Sequence, residues 1–170
     1  MGYWNTRGLR GSNLEELINL TNAIYTRRGI GVIQKVSTPI TPVEVNNKEH
    51  TITKAYFEKK STVDYIGVSR GKALCFDAKE TSRSALPMQN VHRHQLEFME
   101  QFENQGGVSF LLVSFSLKAE VFFMTYRDLL AGWTASQNGD RKSIPYDAFA
   151  QRNLVKNEEG FPLHYLRFLH

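Results

Sequence analysis

The fold class this sequence predicts is α/β, a mixed central sheet flanked by helices, and three observations predict it. Residues 108–115 are a dense apolar run, the mark of a strand buried on both faces. A helical pattern over residues 91–104 separates that run from an earlier strand pattern at 73–79, and core strands joined through a helix are expected to pair in parallel by a right-handed crossover. The length, 170 residues, suits a single domain with a core large enough to fold without staples.

Taken in order, residues 1–11 form a polar, glycine-containing lead that is expected to stay loose. Ser12-Asn13-Leu14-Glu15 reads as a capping box and starts a helix carrying Leu14, Leu17, Ile18, Thr21 and Tyr25, which Gly29 ends. Residues 31–36 read as a strand. Pro39 and Pro42 then break regular ladder pairing. Residues 43–60 are polar, mixed in charge and poorly periodic, a long excursion for so small a domain, and read as a protruding arm or stalk. Residues 63–68 and 73–79 form two strands joined by Ser69-Arg70-Gly71-Lys72, a hairpin signal. Asn90 can cap the helix at 91–104, and Gly106-Gly107 stops it. After the buried run, residues 118–124 give another strand. Thr125-Tyr126-Arg127-Asp128 caps a helix through Trp133, and a loop with Asn138-Gly139, a short helix near 146–151 and a weakly patterned tail follow.

Composition narrows the function classes. Hydrophobic residues at 41% and charged residues at 22% are those of an ordinary soluble domain. No apolar run approaches the roughly 20 residues of a membrane span, and Met1 to Arg7 lack the apolar stretch of a secretory signal. The single cysteine, Cys75, excludes a disulfide framework and a multi-cysteine zinc site, and it fits a reducing cytoplasm. A net charge of +4 and a pI near 9.2 permit contact with a polyanion without identifying one.

The informative spacing is Asp64, twelve intervening residues, then Asp77-Ala78-Lys79. Residues two apart on a strand share a face, so Asp77 and Lys79 point one way while Leu74, Phe76 and Ala78 point the other. A turn at Arg70-Gly71 brings Asp64 back beside Asp77. Two hard carboxylates suit Mg²⁺ or Mn²⁺, and the backbone carbonyl of Ala78 offers a further ligand. A lysine beside them can orient a water and neutralise charge developing on a phosphate. Short acid–lysine patterns also recur by chance, and a solvated strand whose Asp77 and Lys79 make surface ion pairs fits the spacing as well.

A broader pattern then becomes recognisable. Gly11-Ser12-Asn13-Leu14-Glu15-Glu16, Lys35 with Thr38-Pro39, Ala55-Tyr56-Phe57, Ser61-Thr62-Val63-Asp64-Tyr65-Ile66-Gly67-Val68, Phe76-Asp77-Ala78-Lys79-Glu80-Thr81, His92-Arg93-His94-Gln95-Leu96 and Gly139-Asp140-Arg141-Lys142-Ser143-Ile144 occur in one order along the chain. In these segments the sequence resembles the RecU family of Holliday-junction resolvases, whose fold is restriction-endonuclease-like with a PD-(D/E)xK site. The resemblance implies a structure-selective, metal-dependent DNA endonuclease acting as a homodimer on four-way junctions in recombination and repair. It implies that Asp64 and Asp77 hold the metal, that Lys79 is catalytic, that Glu15 completes the acidic cluster, directly or through water, and that Gln95 faces the site. Thr62 is placed beside the scissile strand. Asp77 stands where the family carries glutamate. The arm resembles the family's stalk, although it looks short.

Plainer roles stand beside these. Glu15 also serves as the capping-box partner of Ser12, and Gln95 on a helix is ordinarily a solvated residue. His92 and His94 have a zinc-like spacing but no further ligand, which favours surface or phosphate contacts. Cys75 reads as a small buried thiol. Arg70, Lys72, Arg93, Arg141 and Lys142 are candidate phosphate contacts or solvated charges. Tyr56 and Phe57, aromatic residues on a protrusion, call for a partner, either a second subunit or unpaired bases. A restriction-like or nonspecific nuclease and a non-catalytic recombination factor remain alternatives. Recombinases or branch-migration proteins are conceivable partners, and a membrane is not.

Overall fold

The computed structural model describes residues 13–57, 62–150 and 153–169. The N-terminal lead, Ser12 and residues 58–60 of the expected arm lie outside the described residues. The first helix, α1 (Leu14–Arg27), is capped by Asn13, whose Oδ1 accepts from the Glu16 amide at 2.9 Å while the Glu16 carboxylate accepts from the Asn13 amide at 3.2 Å. The capping box therefore sits one residue later than Ser12–Glu15, and Glu15 takes no part in it.

Six strands form the central sheet in the order β1, β4, β5, β7, β8, β10. Strands β1 (Gly31–Lys35), β4 (Tyr65–Ser69) and β5 (Lys72–Thr81) are antiparallel neighbours. Arg70 and Gly71 turn β4 into β5 with φ of 48° and 78°, the left-handed pair that a two-residue hairpin requires. Strand β5 pairs in parallel with β7 (Val108–Phe115), as a crossover through α2 (Arg93–Asn104) demands. Strands β8 (Glu120–Thr125) and β10 (Leu154–Val155) complete the sheet antiparallel. It is the α/β, mixed-sheet architecture that the pattern of elements predicts.

Strand alternation divides the core. Leu74, Phe76, Phe110, Leu112 and Phe123 face α1, while Cys75, Leu111, Val113 and Phe122 face α2, α3 (Tyr126–Gln137) and α4 (Tyr146–Ala150). Asp77 and Lys79 share the second face by parity. At Gly67 a Cβ would stand 2.4 Å from the Val32 carbonyl oxygen, so β1 lies against β4 at a distance only glycine permits.

Three expectations need correction. The stretch with two prolines is not unpaired: β2 (Ile40–Asn46) and β3 (Thr51–Phe57) form an exposed ribbon, with Pro42 opposite Ala55 beside a register shift. A ribbon of two edge strands leaves an outward N–H position for proline, and the bulge absorbs it. Asn90 does not cap α2; it closes a 3₁₀ turn, Met88–Asn90, and His92 is the cap. The weakly patterned tail is core, because Phe161, Leu163, Tyr165, Leu166 and Leu169 are buried against α1 and the sheet. A further ribbon pairs β6 (Ala85–Pro87) with β9 (Ser143–Pro145).

Candidate active site

The ladder between β4 and β5 ends at Tyr65 opposite Phe76, leaving the β4-facing edge of β5 open beyond that point. Asp64 fills the gap, its Oδ2 accepting from the Ala78 amide at 2.9 Å. The N–H and C=O of one strand residue point to the same edge, so the Ala78 carbonyl faces the same opening. One residue earlier, Asp77 turns to the α2 face and is fully buried. Its Oδ1 accepts from Gln95 Nε2 at 2.8 Å. Its Oδ2 receives no aligned hydrogen bond and forms an ion pair with the Lys79 ammonium. Burial pushes the Asp77 carboxyl up to about 7; the Lys79 ammonium opposes the rise and the Asp64 carboxylate adds to it.

Gln95 is held in turn. Its Oε1 accepts from the His92 amide at 3.1 Å, which leaves the amide nitrogen to donate to Asp77. Only one orientation of the amide satisfies both bonds. Asp64, Asp77, Lys79 and Gln95 are thus brought together by one hairpin and the first turn of one helix.

The remaining candidates are distributed differently. Glu15 is not gathered with Asp64 and Asp77; it pairs with Lys35 at 2.6 Å, both side chains about half exposed. Burial first, and then the Glu15 and Asp64 carboxylates, push the Tyr65 phenol up, so Glu15 borders the site electrostatically. Lys35 carries no sequence signal of this pairing beyond ending a strand beside the start of α1. Thr62 is exposed just ahead of Asp64. Arg93, at the start of α2, is exposed and bonded to Glu97 at 2.8 Å. Arg70 and Lys72 sit at the far end of the hairpin, about 16 Å from Asp77 by strand rise, and Lys72 Nζ donates to the Leu169 carbonyl at 3.0 Å. Arg141 and Lys142 are exposed ahead of β9. Tyr56 and Phe57, 61% and 78% exposed, lie at the base of the ribbon opposite Thr41 and Ile40, away from its tip at residues 47–50.

Among the described residues no three His, Cys, Asp or Glu side chains converge as a ready-made metal cage. The donor set nonetheless fits Mg²⁺ or Mn²⁺. Mg²⁺ keeps several waters and takes only one or two carboxylates from the protein, and here two carboxylates meet beside a backbone carbonyl. The buried Asp77 Oδ2, paired here with the Lys79 ammonium, is the oxygen such a cation would share.

Similarity to known proteins is extensive. The family model described as recombination protein U matches residues 9–170. A Holliday junction resolvase RecU of Pediococcus pentosaceus is 41% identical over 93% of this chain and 77% of its own length. That of Levilactobacillus brevis is 41% identical over 94% of this chain and 82% of its own. Among solved structures, the Holliday junction resolvase Hjc of Archaeoglobus fulgidus overlaps 79% of this chain and 92% of its own at 9% identity and a TM-score of 0.45. With nearly its whole length matched, the chain belongs to the RecU family, recombination protein U.

Proposed function

We propose that this chain is a junction-resolving endonuclease of DNA recombination, cutting four-way junctions by Mg²⁺- or Mn²⁺-dependent phosphodiester hydrolysis. The observation that carries the reading is the fully buried Asp77 carboxylate, with the Asp64 carboxylate and the Lys79 ammonium gathered beside it. The relatives' name, Holliday junction resolvase, supplies the substrate.

Asp64, Asp77 and the Ala78 carbonyl would hold the ion, with Glu15 reaching it through water. When bound, the ion supplies positive charge at the phosphate and a more acidic water. Gln95 fixes Asp77 Oδ1, so Oδ2 is the oxygen left to ligate. The Lys79 ammonium orients the attacking water and neutralises charge as it develops on the phosphate oxygens. Thr62 and Arg93, flanking the acids, contact the strand being cut. Arg141 and Lys142 contact phosphates farther along it. Arg70 and Lys72, across the molecule, serve DNA outside the catalytic centre. Tyr56 and Phe57 meet a second subunit or the unpaired centre of the junction.

Two opposed strands must be nicked, so a two-fold homodimer with two equivalent sites is the economical assembly. No helix among the described residues is long and apolar enough to cross a membrane, and the site of action we propose is the cytoplasm, with recombinases or branch-migration proteins as partners.

The test compares nicking of a four-way junction, a nicked junction and a linear duplex, with and without Mg²⁺. Paired nicks in the four-way junction that require the ion are expected. Asp64→Asn should lower cutting by about 100-fold or more, as loss of a direct ligand costs at least what loss of a supporting one does, while junction binding persists. Equal cutting of linear duplex would remove the junction selectivity, and no metal-dependent cutting of any DNA would remove the enzyme.

A further inference from the structure

Beyond Lys79, strand β5 runs out at Thr81 into a turn that opens on a cavity of about 460 Å³. Arg83 and Gln89 line it from the turn and the 3₁₀ segment, Trp133 and Gln137 from α3, and Lys142 and Ser143 from the start of β9. Nothing in the sequence patterns singles out Arg83 and Trp133 as a pair, because fifty residues separate them. Arg83, on its rim, stands two residues past the end of β5 and four past Lys79.

Its chemistry is selective. No carboxylate lines it, and neither Arg83 nor Lys142 has an acidic partner among the described residues. Two unneutralised cations on one concavity favour an anion. The half-buried Trp133 indole adds a flat π-face, and two glutamine amides add donors and acceptors of the kind that read base edges. A cavity of this volume is in the range of small-ligand sites. Anion, flat ring and hydrogen-bonding edge together describe one nucleotide.

The walls are built rather than incidental. The Thr81 hydroxyl, itself buried, donates to the Ala85 carbonyl at 3.2 Å and accepts from the Arg83 amide at 3.1 Å, fixing the turn that presents Arg83. The Met88 amide donates to the Lys142 carbonyl at 3.0 Å, tying the two sides together. At Gly132 the Ile144 side chain packs onto the bare backbone of α3, its Cδ1 2.6 Å from where a Cβ would stand.

We propose that this cavity receives one unstacked nucleotide of the strand being cut, a few nucleotides from the scissile phosphate. Its base lies against Trp133 and its phosphate is held by Arg83 and Lys142. The inference rests on the endonuclease reading above for the identity of the strand. Its consequence is a register: the nucleotide held here sets which phosphate reaches Asp64 and Asp77.

The test uses the full chain without divalent ion, so that binding is read apart from cutting. In a Trp4→Phe background Trp133 is the remaining indole of two, and its emission should fall when a four-way junction binds. Trp133→Ala should weaken junction binding about tenfold, the scale of losing one stacked base, and Trp133→Phe should restore most of it. Arg83→Ala and Lys142→Ala, both at exposed positions, should each lower the slope of log affinity against log salt by about 1. With Mg²⁺ restored, Trp133→Ala should spread nicks over several positions. Unchanged emission and unchanged nick positions, in a wild type that resolves junctions, would overturn the cavity assignment and leave the endonuclease standing. Quenching by DNA in a protein that cuts nothing would do the reverse. Equal quenching by a free mononucleotide, or failure of Trp133→Phe to restore binding, would also overturn it.

Discussion

Asp77 has two features that a purely structural residue would not keep: it is fully buried, and it shares its site with a second carboxylate, Asp64. A carboxyl whose folded value is about 7 against an ordinary 3.8 holds a proton that the unfolded chain releases between those limits. Its stabilising contribution is therefore complete below about pH 4 and lost as pH rises through 7, at most on the order of 4 kcal/mol. Asp77→Asn abolishes that titration. In EDTA, the melting temperature of the wild type should fall between pH 5 and pH 8 relative to that of Asp77→Asn. Mg²⁺ at pH 8 should raise only the wild type, because a ligand stabilises the state it binds. Parallel melting profiles for the two proteins would show that Asp77 is ionised in comfort, without need of a cation.

At the scale of elements, the hairpin of β4 and β5 delivers the acids, and its parts were readable because each is local. The Arg70-Gly71 turn, the alternation that pairs Asp77 with Lys79, and the return of the chain to Asp64 all follow from neighbouring residues. What neighbouring residues left ambiguous was decided by packing. Ser12 and Asn13 are both capping residues, followed at the right spacing by Glu15 and Glu16, and Asn13 with Glu16 forms the box seen. That single-residue difference frees Glu15 to pair with Lys35 on β1. The ribbon of β2 and β3 was hidden by its prolines, since their tolerance depends on which N–H faces outward. Gly67 joins β1 to this frame. Gly67→Ala would place a Cβ 2.4 Å from the Val32 oxygen and 2.7 Å from Ile33 Cα, both backbone atoms that cannot swing aside. The expected loss is about 2 kcal/mol or more, a fall of roughly 4–8 °C in melting temperature for a chain of this length. A melting temperature within 1 °C of wild type, by scanning calorimetry, would mean that β1 slides without cost.

For the whole molecule, the tail closes the face of the sheet that α1 begins to cover. Tyr25 packs at a tilt of 36° against Phe161 and meets Tyr165 edge-on, with centroids 4.8 and 5.3 Å apart. The Leu163 amide donates to Thr21 Oγ1 at 3.1 Å and the Leu166 amide to the Tyr25 hydroxyl at 3.2 Å, so irregular backbone is satisfied by helix side chains. Such a segment has no period to read, which is why the sequence shows only a weak pattern there while the structure makes it core. Each of its large apolar side chains contributes about 1.5–3 kcal/mol by burial. Five of them, Phe161, Leu163, Tyr165, Leu166 and Leu169, are buried, and their sum is comparable to the 5–15 kcal/mol that holds a typical domain together. Ending the chain after Glu159 would therefore remove the fold, although every residue of the candidate active site remains. The truncated chain is expected to show no cooperative thermal transition by circular dichroism and no salt-sensitive junction binding. A cooperative melt within a few degrees of the full chain would mean that the α1 face is closed without the tail.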